Sequence, residues 1–276
     1  LARPLTYITF EATSADDNRH AVSLYFDASA ELAVNTPAQK VGWSRFKAEG
    51  LQVLRVGSAE QPMLEKRGDD LRIDWGYLYL AVPEDRNADT VAMGHEARTQ
   101  FAETGRLATS DDMRMPRHVV DNWPVLACAL DLGTVAHAAV SRYVMLAYDD
   151  LFSLEYMDRR LRPYWRRNGI EASGLLAAGA NDYAALVKKC EAFDAEVMAD
   201  LRNAGGEAYA RLAALAYRQC IAAHKLAADF DGSVIFFSKE NFSNGCINTV
   251  DLTYPSSPFF LLFNTTLLKG QLTPIM

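Results

Sequence analysis

The chain has 276 residues, of which half are hydrophobic and 23% are charged, and its formal net charge is −7 at pH 7. This balance excludes an intrinsically disordered chain and leaves room for two folded domains. The acidic balance, with one arginine-rich stretch at residues 159–167, also argues against the broad basic surface that nucleic acid binding needs, so we expect no nucleic acid partner.

Residues 5–140 contain short β-prone segments. In LTYITFEATS, LQVLRVG and LRIDWGYLYLAVP, apolar and polar residues alternate, and clusters of Gly, Asp, Asn and Pro separate the runs. Several such strands at short spacing, without a long helical pattern between them, favour an antiparallel β-sandwich. We therefore predict a β-sandwich domain over residues 1–140, in a multidomain fold of the β + α class.

The hydrophobic period changes after residue 141. Apolar residues recur at three- and four-residue steps from Ser173 to Asn203, which predicts a long helix that ends at Gly205 and Gly206. A second helix, over residues 207–229, is predicted to form an αα-hairpin with the first. A third is predicted to begin after Pro258 and to reach the last residues. No apolar run approaches the roughly 20 residues that span a bilayer, so we expect no membrane span.

The polar segment SKENFSNGCINTVDLTYPSSPFF, residues 238–260, is the first candidate site. Connections that a rigid helical array holds in place frequently carry function. A solvated connection rich in turn-forming residues explains the composition equally well. The segment supplies one cation, two amides and two carboxylates, a set able to bind a small polar substrate by directional hydrogen bonds: Lys239, Asn241, Asn244, Glu240 and Asp251.

Two adjacent acids, Asp149 and Asp150, form the second candidate, because they follow the apolar run RYVMLAY. A carboxylate at the rim of a hydrophobic core is suited to acid–base chemistry. An aspartate at such a position can also cap the helix that follows, and for either residue alone we favour the cap.

The sequence lacks the motifs that indicate a metal or a cofactor. The five histidines have no HxxxH or HExxH spacing, the four cysteines form no CxxC pair, and there is no GxSxG, GxxxxGK[ST] or GxGxxG. We therefore expect no metal site, no cofactor and no nucleotide.

Long segments of the chain resemble the glutaminase A family of bacterial and fungal proteins. They are YVMLAYDDLFSLEYM, LRPYWRRNG, CEAFDAEVMADLRNAGGEAYARLAALAYRQC and, above all, FSKENFSNGCINTVDLTYPSSPFFLLFN. The resemblance covers essentially the whole chain, weakly in the β half and strongly from residue 142 on. It implies an N-terminal β-sandwich joined to a six-hairpin (α/α)6 toroid, an extracellular or periplasmic location, and hydrolysis of L-glutamine to L-glutamate and ammonia.

The resemblance also implies that this chain is truncated on its C-terminal side. Each hairpin of the toroid has two helices, whereas the sequence predicts three or four helices in all, so residues 141–276 would hold only its opening helices. An open arc leaves apolar helix faces uncovered, and we expect the remainder of the polypeptide or self-association to cover them. This chain alone would then be an incomplete enzyme.

The resemblance indicates the family more specifically than the reaction, because similar toroids occur in glycoside hydrolases that use a pair of carboxylates. A glycoside hydrolase or a carbohydrate-binding protein therefore remains the alternative, with a sugar in place of glutamine. In the hydrolase readings, Glu240 and Asp251 are the proposed acid–base or water-positioning groups and Lys239 binds an anionic group of the substrate. The remaining expected substrate-binding residues are Asn241, Asn244, Asp149 and Asp150.

Overall fold

The fold is described from a computed structural model, for residues 3–16, 18–84, 88–240 and 244–276. These residues form thirteen strands, all paired antiparallel, and four α-helices. The strands are β1 Leu5–Ala12, β2 His20–Ser29, β3 Lys40–Ala48, β4 Leu51–Ser58, β5 Tyr77–Pro83, β6 Ala88–Met93, β7 Arg117–His118, β8 Val125–Val135, β9 Val140–Asp149, β10 Leu154–Tyr156, β11 Arg159–Leu161, β12 His224–Ala228 and β13 Val234–Ser238. The helices are α1 Glu96–Thr104, α2 Ala172–Ala222, α3 Val250–Phe263 and α4 Thr265–Leu272, with short 3-10 turns at Ala30–Ala33 and Tyr164–Arg166.

Two antiparallel sheets account for most of the first part of the chain. One has six strands in the order β1-β9-β5-β4-β3-β7, and the other has three in the order β2-β8-β6. Successive side chains of a strand point to opposite faces. On β4, Leu54 and Val56 share a hydrophobic cluster with Leu126 of the three-stranded sheet, whereas Leu51 and Val53 belong to a second cluster on the opposite face. Both faces of the six-stranded sheet are therefore buried at its centre.

The six-stranded sheet continues past residue 140. Strand β9 lies between β1 and β5, where Ala147 is paired with both Leu5 and Tyr79. The chain beyond residue 140 thus contributes a central strand of this sheet and two further two-stranded sheets, β10-β11 and β12-β13, besides its helices. The prediction for residues 141–276 named only helices, and these strands are additional to it. The division into two domains at residue 140 stays a prediction.

Helix α2 is a hairpin of two helical arms. Gly206 has φ 78° and ψ −176°, a backbone conformation essentially restricted to glycine. Phe193 and Tyr217 have ring centroids 5.8 Å apart. In a straight helix, at 1.5 Å per residue, these positions would lie about 36 Å apart. The chain therefore turns back at Gly206, and the predicted αα-hairpin with its glycine reversal is confirmed.

The second predicted helix is too long. It ends at Ala222 instead of residue 229, because His224–Ala228 forms strand β12, paired with β13. The alternating pattern of β13 explains the difference: Ile235 and Phe237 pack in one hydrophobic cluster, and Phe236 packs in another. Strand pairing buries all three side chains, and this tertiary gain overrides the local helical preference of the sequence.

The third predicted helix begins earlier than expected. Helix α3 starts at Val250, so Pro255 and Pro258 lie inside it, although proline normally interrupts a helix because it lacks an N–H group. It ends at Phe263, and the next residue, Asn264, caps α4 because its side chain accepts a hydrogen bond from the backbone N–H of Leu267. The segment 238–260 therefore connects a strand to a helix and includes most of α3. None of the described helices is long and apolar enough to cross a bilayer.

Candidate functional site

The described residues enclose a cleft of about 390 Å³ where three distant segments meet. These are residues 64–75 ahead of β5, residues 150–155 after β9, and residues 239–240 and 244–247 after β13. The lining combines cations, carboxylates and an indole ring with apolar side chains: Leu64, Lys66, Arg67, Leu71, Arg72, Ile73, Trp75, Asp150, Ser153, Leu154, Glu155, Lys239, Glu240, Asn244, Gly245 and Ile247.

Backbone hydrogen bonds hold the segment after β13 against the segment ahead of β5. The N–H of Gly245 donates to the carbonyl oxygen of Gly68 over 3.2 Å, and Asp69 forms an antiparallel bridge with Asn244. The side chain of Asn244 accepts from the N–H of Cys246 over 2.8 Å, which fixes the turn between them. These contacts tie residues 244–246 to the segment ahead of β5.

Asp150 is a buried residue that lines the cleft. Its Oδ2 atom is 2.5 Å from Nζ of Lys225, while Oδ1 is buried and has no hydrogen-bond partner within the described part of the protein. The hydroxyl of Ser153 is also buried and also has no hydrogen-bond partner among the described residues. The indole N–H of Trp75 donates to the carbonyl oxygens of Asp150 and Phe152, which fixes the turn that carries both polar groups. Unpaired buried polar atoms are costly, so a ligand that hydrogen-bonds to them gains free energy.

Lys239 carries a half-buried ammonium in the same cleft. Burial lowers the pKa of Lys239, the charge of Lys225 lowers it further, and the carboxylate of Asp150 acts in the opposite direction. No hydrogen-bond partner of this ammonium is found among the described residues. A poorly solvated cation of this kind favours an anionic group of a ligand.

Glu240 also lines the cleft, and its Oε1 atom accepts a hydrogen bond from the hydroxyl of Thr249 over 3.3 Å. The structure thus brings together Lys239, Glu240 and Asn244 from the first candidate segment with Asp150 from the second. Asn241 lies outside the described residues.

Two sequence-predicted residues lie elsewhere. Asp149 is buried and bonds the guanidinium of Arg166, whose Nη1 atom also contacts Glu171 over 2.7 Å. Neither Asp149 nor Asp150 caps a helix, because strand β10 follows them, so the cap interpretation is wrong. Asp251 is exposed in the first turn of α3, where a carboxylate interacts favourably with the helix dipole, and it does not line the cleft.

The sequence analysis missed Lys225, Lys66 and Ser153. Lys225 fell in the tail of a predicted helix, and its role depends on the strand pairing that turns it toward Asp150. Lys66 pairs with the buried carboxylate of Asp74. Sequence spacing carries no signal for contacts of this kind. Among the described residues, no three His, Cys, Asp or Glu side chains come together in a way that would hold a metal ion.

Comparison with known proteins identifies the family. Residues 1–200 match the sequence family described as a domain of unknown function, DUF5127, and residues 206–276 match the glutaminase A six helical-hairpin domain. The chain belongs to the glutaminase A family. Its reversal at Gly206 coincides with the first residue of the six helical-hairpin match.

Two curated relatives extend over nearly the whole chain. Glutaminase A of Aspergillus oryzae is 30% identical over 279 residues, which cover 98% of this chain and 39% of that protein. A probable glutaminase of Arthroderma benhamiae is 25% identical over 293 residues, which cover 99% of this chain and 33% of that protein. The chain therefore spans between a third and two fifths of the length of these two relatives.

Proposed function

We propose that the polypeptide carrying this chain is a glutaminase-like hydrolase that converts L-glutamine to L-glutamate and ammonia, and that the cleft binds the α-amino acid end of the substrate. One observation carries the proposal: Lys239 and Asp150 line the same cleft with opposite charges, and both have unused hydrogen-bonding capacity. Free glutamine has a carboxylate that matches the lysine ammonium and an ammonium group that matches the unpaired aspartate oxygen.

Glu240 is the proposed acid–base or water-positioning group, because it is the carboxylate beside Lys239 on the cleft wall. Asn244 and Asn241 are proposed to hold the substrate amide. Asp251 remains the proposed second carboxylate, although its exposed place on α3 requires further protein on that side for it to meet the substrate.

We further propose that the two sheets of the first part form a β-sandwich and that residues 141–276 hold the opening helices of an (α/α)6 toroid. The shared core of the two sheets and the six helical-hairpin match support this arrangement. Exposed apolar side chains support a cover by further chain or by a second copy: Leu212, Leu215, Val250, Tyr254, Leu261 and Leu262. An extracellular or periplasmic location remains part of the proposal.

The proposal is tested by measuring ammonia release from L-glutamine by the full-length polypeptide. Glu240→Gln and Asp251→Asn each remove a proposed acid–base group, and such losses typically lower kcat by about 10² to 10⁴. Lys239→Met removes a charge-assisted hydrogen bond to the substrate and is expected to raise KM by roughly tenfold or more. The matched control is Glu65→Gln, which alters an exposed carboxylate next to the cleft that does not line it.

A panel of aryl glycosides assayed in parallel distinguishes the other reaction class. Release of the aglycone without release of ammonia would show that the protein is a glycoside hydrolase and not a glutaminase. Binding of glycans without turnover of either substrate would identify a carbohydrate-binding protein. Near-normal turnover in both Glu240→Gln and Asp251→Asn would show that neither carboxylate carries the chemistry.

A further inference from the structure

A second cleft, of about 440 Å³, lies on the first part of the chain and shares no residue with the first. It is formed by the end of β2, the start of α1 and the start of β8. Its lining is small and chemically mixed, with one aromatic ring, one carboxylate, one guanidinium, one imidazole, one hydroxyl and one aliphatic side chain: Trp123, Glu31, Arg98, His95, Ser29 and Val125.

The backbone holds the indole of Trp123 at the surface. Asn122 and Trp123 have φ values of 62° and 40°, in the left-handed region that non-glycine residues rarely adopt. The side-chain amide of Asn122 donates to Oε2 of Glu96 over 2.7 Å, and the backbone carbonyl oxygen of Asn122 accepts from the backbone N–H of His95 over 3.1 Å. Gly94 leaves the space for this amide, since a Cβ at Gly94 would collide with it. Strained backbone that is fixed by its surroundings is typical of binding sites.

Trp123 is partly exposed, with 38% of its residue surface accessible. A tryptophan normally contributes more to stability when it is buried, with its N–H paired. Here the ring lines the cleft and stays partly exposed to solvent.

The polar groups around the ring include both donors and acceptors. The Nε and Nη2 atoms of Arg98 bond Asp27 over 2.6 and 2.8 Å, which orients the guanidinium, and Nη1 makes no hydrogen bond within the part of the chain that the structure describes. The oxygen of Ser29 accepts from the N–H of Glu31 over 3.2 Å, and its O–H donates to none of the described residues. Neither the Glu31 carboxylate nor the imidazole of His95 has a side-chain partner among the described residues.

We propose that this second cleft binds a neutral saccharide, with one pyranose ring stacked on the indole of Trp123. The C–H face of a pyranose is apolar and fits an exposed aromatic ring, while its hydroxyls both donate and accept hydrogen bonds. Glu31 accepts from such hydroxyls, and the Nη1 atom of Arg98 donates to them. A single carboxylate and a single guanidinium of opposite sign disfavour a strongly cationic or anionic ligand.

The volume is sufficient for this ligand class, because pockets of roughly 300 to 1,000 Å³ hold small molecules. The site is independent of glutamine hydrolysis in the first cleft, since the two clefts have no lining residue in common. Saccharide binding here would give the protein a means of localising on a glycan surface that does not involve its reaction.

The proposal is tested by titrating the full-length polypeptide with cello-, chito-, manno- and xylo-hexaose in calorimetry. At least one of these neutral oligosaccharides is expected to bind. Trp123→Ala should weaken that binding by roughly tenfold or more, a change that corresponds to about 1.4 kcal/mol, and Glu31→Gln should weaken it several-fold. Phe230→Ala is the matched control, because Phe230 is an aromatic residue that is 76% exposed and lies in neither cleft.

Trp123→Phe and thermal unfolding of each variant separate binding from folding. The phenylalanine keeps a ring for stacking and should retain part of the affinity that alanine loses. The proposal is overturned if none of the four hexaoses binds at millimolar concentration. It is equally overturned if Trp123→Ala and Glu31→Gln, folded as judged by unfolding temperature, bind as tightly as the Phe230→Ala control.

Discussion

The Nζ atom of Lys225 lies 2.5 Å from the Oδ2 atom of Asp150. This contact joins strand β12 to the turn after β9, while the other oxygen of Asp150, a residue that lines the first cleft, is buried and has no hydrogen-bond partner among the described residues. The charges of Lys225 and Asp150 both act on the pKa of Lys239, in opposite directions. The charge pattern of the cleft therefore arises from three segments that are distant in the sequence.

Lys225→Met is expected to lower the free energy of unfolding by about 1–3 kcal/mol, because it leaves the buried Asp150 carboxylate without its cation. Urea denaturation measures this change. The control is Lys188→Met on the exposed surface of the hairpin, for which a change within about 0.5 kcal/mol is expected. Equal stability of the two variants would contradict a structural role for the Lys225 pair.

Arg166→Gln tests the buried ion pair beside the cleft. The side chains of Arg166 and Asp149 are 3% and 1% exposed, so removal of the guanidinium leaves an uncompensated buried carboxylate at a cost of about 3–5 kcal/mol. Arg202→Gln removes the same group from a pair with Glu207 whose side chains are about half exposed, and should cost less than about 1 kcal/mol. Comparable losses in denaturant midpoint for both variants would show that the Arg166 pair is not buried in solution.

Gly206→Ala tests the reversal of the helical hairpin. No atom lies within 4 Å of the added methyl group, so its cost comes from the backbone conformation alone and amounts to about 1–3 kcal/mol. Gly174→Ala is the matched substitution in a regular helical turn of α2, where alanine is expected to stabilise by about 0.4–1 kcal/mol. The two substitutions are expected to change the unfolding free energy in opposite directions. A Gly206→Ala variant with unchanged unfolding free energy would mean that the reversal does not need glycine.

Protonation of His224 is expected to make the stability of the protein depend on pH. Its ring stacks on Phe236 with centroids 4.7 Å apart, Nδ1 donates to the carbonyl oxygen of Cys220 over 2.6 Å, and Nε2 accepts from the amide of Gln271 over 3.0 Å. Burial lowers the pKa of His224 from its ordinary value of 6.5, and the hydrogen bond to Cys220 only partly offsets this effect.

Because the unfolded chain binds this proton more readily, the stabilisation from His224 is complete above pH 6.5 and is lost as the pH falls below that value. His224→Phe keeps a ring against Phe236 but removes the titrating group. The difference in unfolding free energy between the protein and this variant should therefore decrease as the pH is lowered from 7.5 to 5, roughly the range in which histidine changes charge. A difference that is independent of pH would contradict the assignment.

Local sequence patterns predicted much of the fold. Alternating residues predicted antiparallel strands in the first part, and the 3.6-residue period predicted the long helix that Gly206 reverses. The same patterns misplaced residues 224–228 and the start of α3. Strand pairing around Phe236 and Phe237 buries side chains that no local pattern takes into account, and α3 accommodates two prolines that normally mark a helix start.

By itself the sequence determined the family, the antiparallel strands, the helical hairpin and the polar segment that holds Lys239 and Glu240, because each depends on residues that are close together in the chain. Only the tertiary structure decided which charged groups meet. Asp150 and Lys225 approach through the separate pairings of β9 and β12, while Asp149 turns to Arg166 and Asp251 to solvent. Neighbouring acids in sequence point in different directions because the backbone, and not the composition, orients side chains.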